Sequence, residues 1–179
     1  MVLYNGGYPQ VMTASGPAMP SSYGGTVTND INDLAEMAKH ILEKVVETYQ
    51  INGISLPDRQ YVALANPAQD CEQLTVAWQS MYLGPPGDEA SGPQRCESPR
   101  SAVFEVVVTR CVPVADDRNR APEPAAISAA SAVLMRDACL LMDSIKGMDD
   151  FLGVTATVAG SEAQGGLQSV TLTLAIGLV

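Results

Sequence analysis

The run Ser101–Val114, Ser-Ala-Val-Phe-Glu-Val-Val-Val-Thr-Arg-Cys-Val-Pro-Val, constrains the fold more than any other stretch. Phe104, Val106, Val108 and Val112 fall on one face, and Glu105, Val107, Thr109 and Cys111 on the other. A two-residue period in β-branched and aromatic side chains specifies a strand half-buried in a sheet. The last run, Leu167–Val179, repeats the pattern, with Val170, Leu172, Leu174 and Ile176 set against Ser169, Thr171, Thr173 and Ala175. Together with Leu74–Leu83 these strands demand a sheet with one apolar face. That face needs a covering layer.

Two helical patterns can supply the layer. Thr28-Asn29-Asp30 offers N-cap oxygens for unpaired backbone N–H groups. A helix then runs to about Gln50, with Ile31, Leu34, Ala35, Ala38, Ile41, Leu42, Val45 and Tyr49 on one face and Asn52-Gly53 ending it. The second helix, Ala125–Lys146, follows Pro122 and Pro124, since proline suits a first helical turn. Its stripe is Ile127, Ala130, Leu134, Ala138, Leu141 and Ile145.

Between the helices lie three strands. Arg59–Ala65 is the first, broken by Asn66-Pro67. Cys71–Leu83 is the second, with Leu74, Val76, Trp78 and Tyr82 on one face, and Ala102–Val114 is the third. After the second helix, Gly147–Asp150 breaks the chain. Val154, Ala156 and Val158 then alternate over a short strand. The Gly-Gly in Ser161–Gly166 marks a hairpin into the last strand. Helix, three strands, helix and one or two strands predict an α+β fold, a mixed or antiparallel sheet covered by two helices.

A chain of 179 residues suits one domain. Residues 28–179 form it. Residues 1–27 read as an extended arm, because Gly6, Gly7, Pro9, Gly16, Pro17, Pro20, Gly24 and Gly25 interrupt every period. Tyr4, Tyr8, Val11, Met12, Met19 and Tyr23 could anchor such an arm on a neighbouring subunit; the other reading is a solvated tail. Gly84–Arg100 is a long, mobile loop of 17 residues between strands, far above the usual length of about 2–5, and reads as a contact element.

Charge and motifs narrow the function. Twenty acidic residues face ten basic ones, a net charge of −10 with no basic run, which argues against a nucleic-acid groove binder. Cys71, Cys96, Cys111 and Cys139 are scattered and His40 is the single histidine, so no zinc site is expected. The cysteines read as small buried hydrophobes or surface thiols in a reducing compartment. The N-terminus has no signal-peptide pattern, and no apolar run approaches the ~20 residues that span a bilayer. Phosphate loops, nucleophile elbows, zinc-protease helices and calcium loops are missing. His40 sits at the edge of the first helix's stripe and reads as a boundary histidine. Asp116-Asp117-Arg118-Asn119-Arg120 reads as a solvated link, and Trp78 as core. No catalytic, cofactor-binding or metal residue is assigned, and neither an enzyme nor a cofactor is expected.

Several stretches resemble one family. They are Arg59-Gln-Tyr-Val with Asp70-Cys-Glu-Gln-Leu-Thr-Val, Val106-Val-Val-Thr-Arg-Cys-Val-Pro, the helix around Leu134–Asp143, and Gln164-Gly-Gly-Leu-Gln-Ser-Val. They resemble the tail terminators of long-tailed, siphovirus-type bacteriophages that infect actinobacteria, over about residues 29–178. The resemblance implies a tail-tube-like fold and a homo-hexameric ring without enzyme activity or cofactor. The ring caps the head-proximal end of the tail tube and stops its polymerisation. Tail-tube protein would meet one face and the head-side connector or stopper protein the other, in the phage neck. Genomic DNA would pass through the lumen without sequence-specific binding. The ring would assemble in the host cytoplasm, with no membrane partner. A head-completion or stopper protein, or a small ligand-binding or enzymatic α+β domain, is the alternative.

Overall fold

Alternation in the strands builds one five-stranded sheet. In a computed structural model, which describes residues 34–65, 67–88 and 99–178, the elements follow the expected order. They are α1 (Leu34–Ile51), β1 (Arg59–Leu64), β2 (Gln73–Leu83), β3 (Arg100–Cys111), α2 (Pro124–Ser144), β4 (Leu152–Gly160) and β5 (Leu167–Leu178). The arm at residues 1–27, the N-cap at Thr28–Asp30, Ile31, Cys96 and most of the loop after β2 lie outside the described residues. The sheet order is β1-β2-β3-β5-β4. β1 runs parallel to β2 and every other neighbour is antiparallel, so the fold is α+β with a mixed sheet. β4 and β5 form the expected hairpin.

Both helices cover the same face. Phe104, Val106 and Val108 of β3 and Leu172, Leu174 and Ile176 of β5 are wholly buried there. α1 contributes Met37, Ala38, Ile41, Val45 and Tyr49, and α2 contributes Leu134, Leu140 and Leu141. Met37 takes the buried place that periodicity assigned to Ala35, which is exposed. Gly53 ends α1 with φ +63°, a conformation that costs glycine little, and the Ile54 N–H closes back on the Tyr49 carbonyl at 3.0 Å. Ile41→Ala should lower stability by about 2–5 kcal/mol, because the side chain has no exposure and its loss leaves a cavity in the core. A urea midpoint equal to that of the unaltered chain would contradict this packing.

Two expectations about faces need correction. Tyr82 was placed with Leu74, Val76 and Trp78. A bulge between Trp78 and Ser80 shifts the register, so Met81 now pairs with Ala102 on the helix-covered side and Tyr82 with Ser101 on the other. There the Tyr82 hydroxyl accepts a hydrogen bond from the Gly87 N–H at 2.8 Å. Ile127, on the buried stripe of α2 by periodicity, is 46% exposed; the buried residues of that helix begin only at Leu134.

The sheet's second face is not fully open either. Thr75, Ala77, Val103, Val107, Thr109 and Ser169 are buried on it. The parallel β1–β2 pair explains part of this. Its strands are joined by the short link 65–72 instead of a helix. Pro67 and Gln69 of that link line a cavity of about 60 Å³ with Gln73, Thr75 and Thr171. The cavity is polar and roomy enough for a water molecule, and the buried Thr75 hydroxyl beside it has no hydrogen-bond partner among the described residues.

Candidate functional site

Among the described residues, one end of the sheet gathers a cluster of buried polar and charged side chains. Arg110 follows Val106 and Val108 in the alternation of β3, so its side chain enters the covered face. Asp137 lies between Leu134 and Leu141 on the inward side of α2 and has no exposure. The guanidinium donates from Nε to Asp137 Oδ2 at 2.9 Å and from Nη2 to Oδ1 at 3.0 Å, a bidentate pair. Arg110 Nη1 donates to Glu72 Oε2 at 2.6 Å, and Tyr49 Oη donates to Asp137 Oδ1 at 2.7 Å. Four side chains thus join α1, α2, β3 and the 65–72 link.

The charges set each other's protonation. Burial works against the Arg110 cation, but its hydrogen bonds to Asp137 and Glu72 and their negative charges outweigh that cost, so its pKa lies above the ordinary arginine value. Burial, and then the Asp137 charge, push the Tyr49 phenol well above its ordinary value. The folded chain therefore keeps a proton that the unfolded chain releases near pH 10. This contribution is whole below about pH 10. Above it the native state binds more protons, so stability falls as pH rises. Denaturation midpoints from neutral to strongly alkaline pH should show that fall, and Tyr49→Phe should flatten it. An equally steep fall in the variant would rule out Tyr49 as its source.

The same end is stapled covalently. Cys71 and Cys111 form a disulfide with a Cα–Cα distance of 5.1 Å, so the expectation of four free thiols is wrong for this pair. Spacing does not reveal this pairing, because Cys71 lies in the link and Cys111 ends β3, 40 residues later. Cys139 is free and exposed on α2. Arg59, the first residue of β1, pairs with Asp70 of the link, and this pairing holds the exposed Asp70 carboxyl below the usual range.

The other residues weighed from sequence stay apart. His40 packs edge-on to Phe151 with ring centroids 5.4 Å apart, and its Nε2 lies 3.7 Å from Asp150 Oδ2. Asp116 accepts from the Arg118 and Arg120 backbone N–H groups and from the Arg120 side chain, which makes it a loop clasp. Trp78 is half-buried at the core's margin. Among the described residues, no three His, Cys, Asp or Glu side chains gather to hold a metal ion. A groove of about 350 Å³ between the C-terminal ends of α1 and α2 is lined by charges, but Lys44 pairs with Glu47 and Lys146 with Asp143, each on its own stretch of chain.

The surface of α2 departs most from expectation. Twelve residues from Pro124 to Met135 carry no charge. The helix with its following turn, Pro124–Gly147, is long and apolar enough to cross a membrane by length and composition, contrary to the sequence reading, yet only 22% of its apolar window is buried. Asp137 ties its second half into the fold. On the outer side Ser128, Ala132, Met135, Cys139 and Met142 recur at alternating steps of four and three, the spacing of a helix-packing seam. Met135 is 69% exposed and Met142 44%.

No protein-family model matches the chain. No curated protein matches its sequence. Among solved structures, it is similar to a chain of the virion of a native gene transfer agent (GTA) particle, with 13% identity and a TM-score of 0.38, covering 79% of this chain and 90% of that one.

Proposed function

We propose that this chain is a structural protein of a phage-type virion without catalytic activity, and that it acts as a tail terminator. In this reading copies form a ring, of about six by the family resemblance, that caps the head-proximal end of the tail tube. Tube protein docks on one face and a connector or stopper protein on the other, and DNA passes through the lumen unread. The observation that carries the reading is the uncovered, uncharged face of α2. Large apolar patches on a folded chain mark association surfaces. On a chain of net charge −10, an uncharged patch is where like-charged copies can meet with least repulsion.

A second feature supports it. The stretches that carry the family resemblance, distant in sequence, meet around Arg110. They supply Arg59, Asp70, Cys71, Glu72, Arg110, Cys111 and Asp137. These residues form a brace that sets α2 against the sheet.

Native mass spectrometry and sedimentation test the reading. Rings should form and should hold or strengthen as salt rises to physiological levels, because screening weakens repulsion between acidic copies. Met135→Asp with Met142→Asp should dissociate them without altering the monomer's melting. A strict monomer, alone and with tube protein, would overturn the reading, as would flotation of the chain on lipid vesicles. Particles lacking the protein should carry overlong tails; filled heads without tails would assign it to the head-side connector instead.

A further inference from the structure

A groove of about 380 Å³ opens between the first turns of α1 and the edge strand β1. Leu34 and Ala38 form one wall, Val62 and Leu64 the other, and Trp78 lines it as well; no ionisable side chain takes part. Leu64 is 78% exposed, a costly position for a leucine at the lip of an apolar cleft. β1 ends the sheet order, so among the described residues its outer edge pairs with no strand. The indole N–H of Trp78 is buried and finds no acceptor among the described residues.

From these observations we infer that the groove is the seat of the chain's own N-terminal segment, in the same molecule, held by the Met19 and Tyr23 side chains. The chain outside the described residues leaves from the groove itself, because Leu34 is both the first described residue and part of the wall. Tyr23 lies eleven residues before Leu34, a reach of up to ~36–40 Å when extended, against about 20 Å for the six residues of β1. A lining with no ionisable group offers little to orient a small polar ligand, whereas a tyrosine ring and a methionine fill an irregular apolar cleft well. A carbonyl of the incoming segment supplies the acceptor that Trp78 lacks. A segment seated here would also cover the bare edge of β1. The inference goes beyond the ring reading and stands whether or not rings form.

Trp78 is the single tryptophan, so its emission and its quenching by acrylamide report the groove directly. In the full-length chain Trp78 should be shielded. Full-length Met19→Asp with Tyr23→Asp should redden its emission and raise quenching several-fold. Full-length Leu64→Asp should do the same from the other wall, with little cost to the fold since that side chain is already exposed. Shielding should not depend on protein concentration. Unchanged emission and quenching in the Met19/Tyr23 variant, with its circular dichroism native, would overturn the proposal. So would shielding that disappears on dilution, which would give the groove to a second copy.

Discussion

Arg110→Ala should destabilise the fold by about 3–5 kcal/mol, among the largest effects of any single substitution. The reason is not the worth of the ion pair. Two charges brought out of water recover their desolvation cost only through close mutual contact, and removing one strands the other. Asp137 has no exposure, and two of its partners are the Arg110 nitrogens at 2.9 and 3.0 Å. Replacing the group as a unit should be far milder. Arg110→Met, Asp137→Leu and Tyr49→Phe together remove this group's own buried charges and hydroxyl, while Glu72, partly exposed, can turn to water. The triple variant should recover most of what Arg110→Ala loses, so the effects should be strongly non-additive. Urea unfolding of both chains at neutral pH tests this, provided the slope is unchanged. A triple variant no better than Arg110→Ala would mean that the network contributes more than mutual neutralisation. The expected functional consequence is on assembly: once α2 is loosened from β3, its outer seam no longer has a fixed direction, and ring formation should suffer before unfolding is complete.

Opening the Cys71–Cys111 bond should cost about 4 kcal/mol in the chain-entropy account, because the bridge closes a loop of about 40 residues. For a domain of this size the melting temperature should drop on the order of 10 °C. Reductant, or Cys71→Ser with Cys111→Ser, should give the same shift, since both release the same constraint. Peptides containing Cys71 and Cys111 should be recovered joined without reductant and separate with it. Equal melting in both conditions, or separate peptides in both, would rule the bridge out. The bond holds the 65–72 link down beside Arg59–Asp70 and Glu72–Arg110. Its loss should therefore free the link first and expose the second face of the sheet.

Periodicity is a local property, and local properties determined a great deal. The alternation at Phe104, Val106 and Val108 and at Val170, Leu172 and Leu174 identified the two central strands and the face they bury. The three- and four-residue steps of α1 and the second half of α2 placed Ile41, Val45, Tyr49, Leu134 and Leu141 in the core. Breakers at Asn52-Gly53 and Gly165-Gly166 marked turns that exist. Sequence reasoning missed Arg110 and Asp137; the signal that could have found them is a charge at a position that each pattern reserves for apolar residues. Three features lay beyond local reading. The bulge after Trp78, which turns Tyr82 to the far face, depends on how β2 settles against β3. Exposure of the first half of α2 depends on which elements come to pack against it. The partnership of Cys71 with Cys111, and of Arg110 with Asp137 and Glu72, depends on bringing together segments separated by 27–40 residues. Spacing along a chain sets which way a side chain points. Only the order in which strands and helices come to lie beside one another decides what it points at.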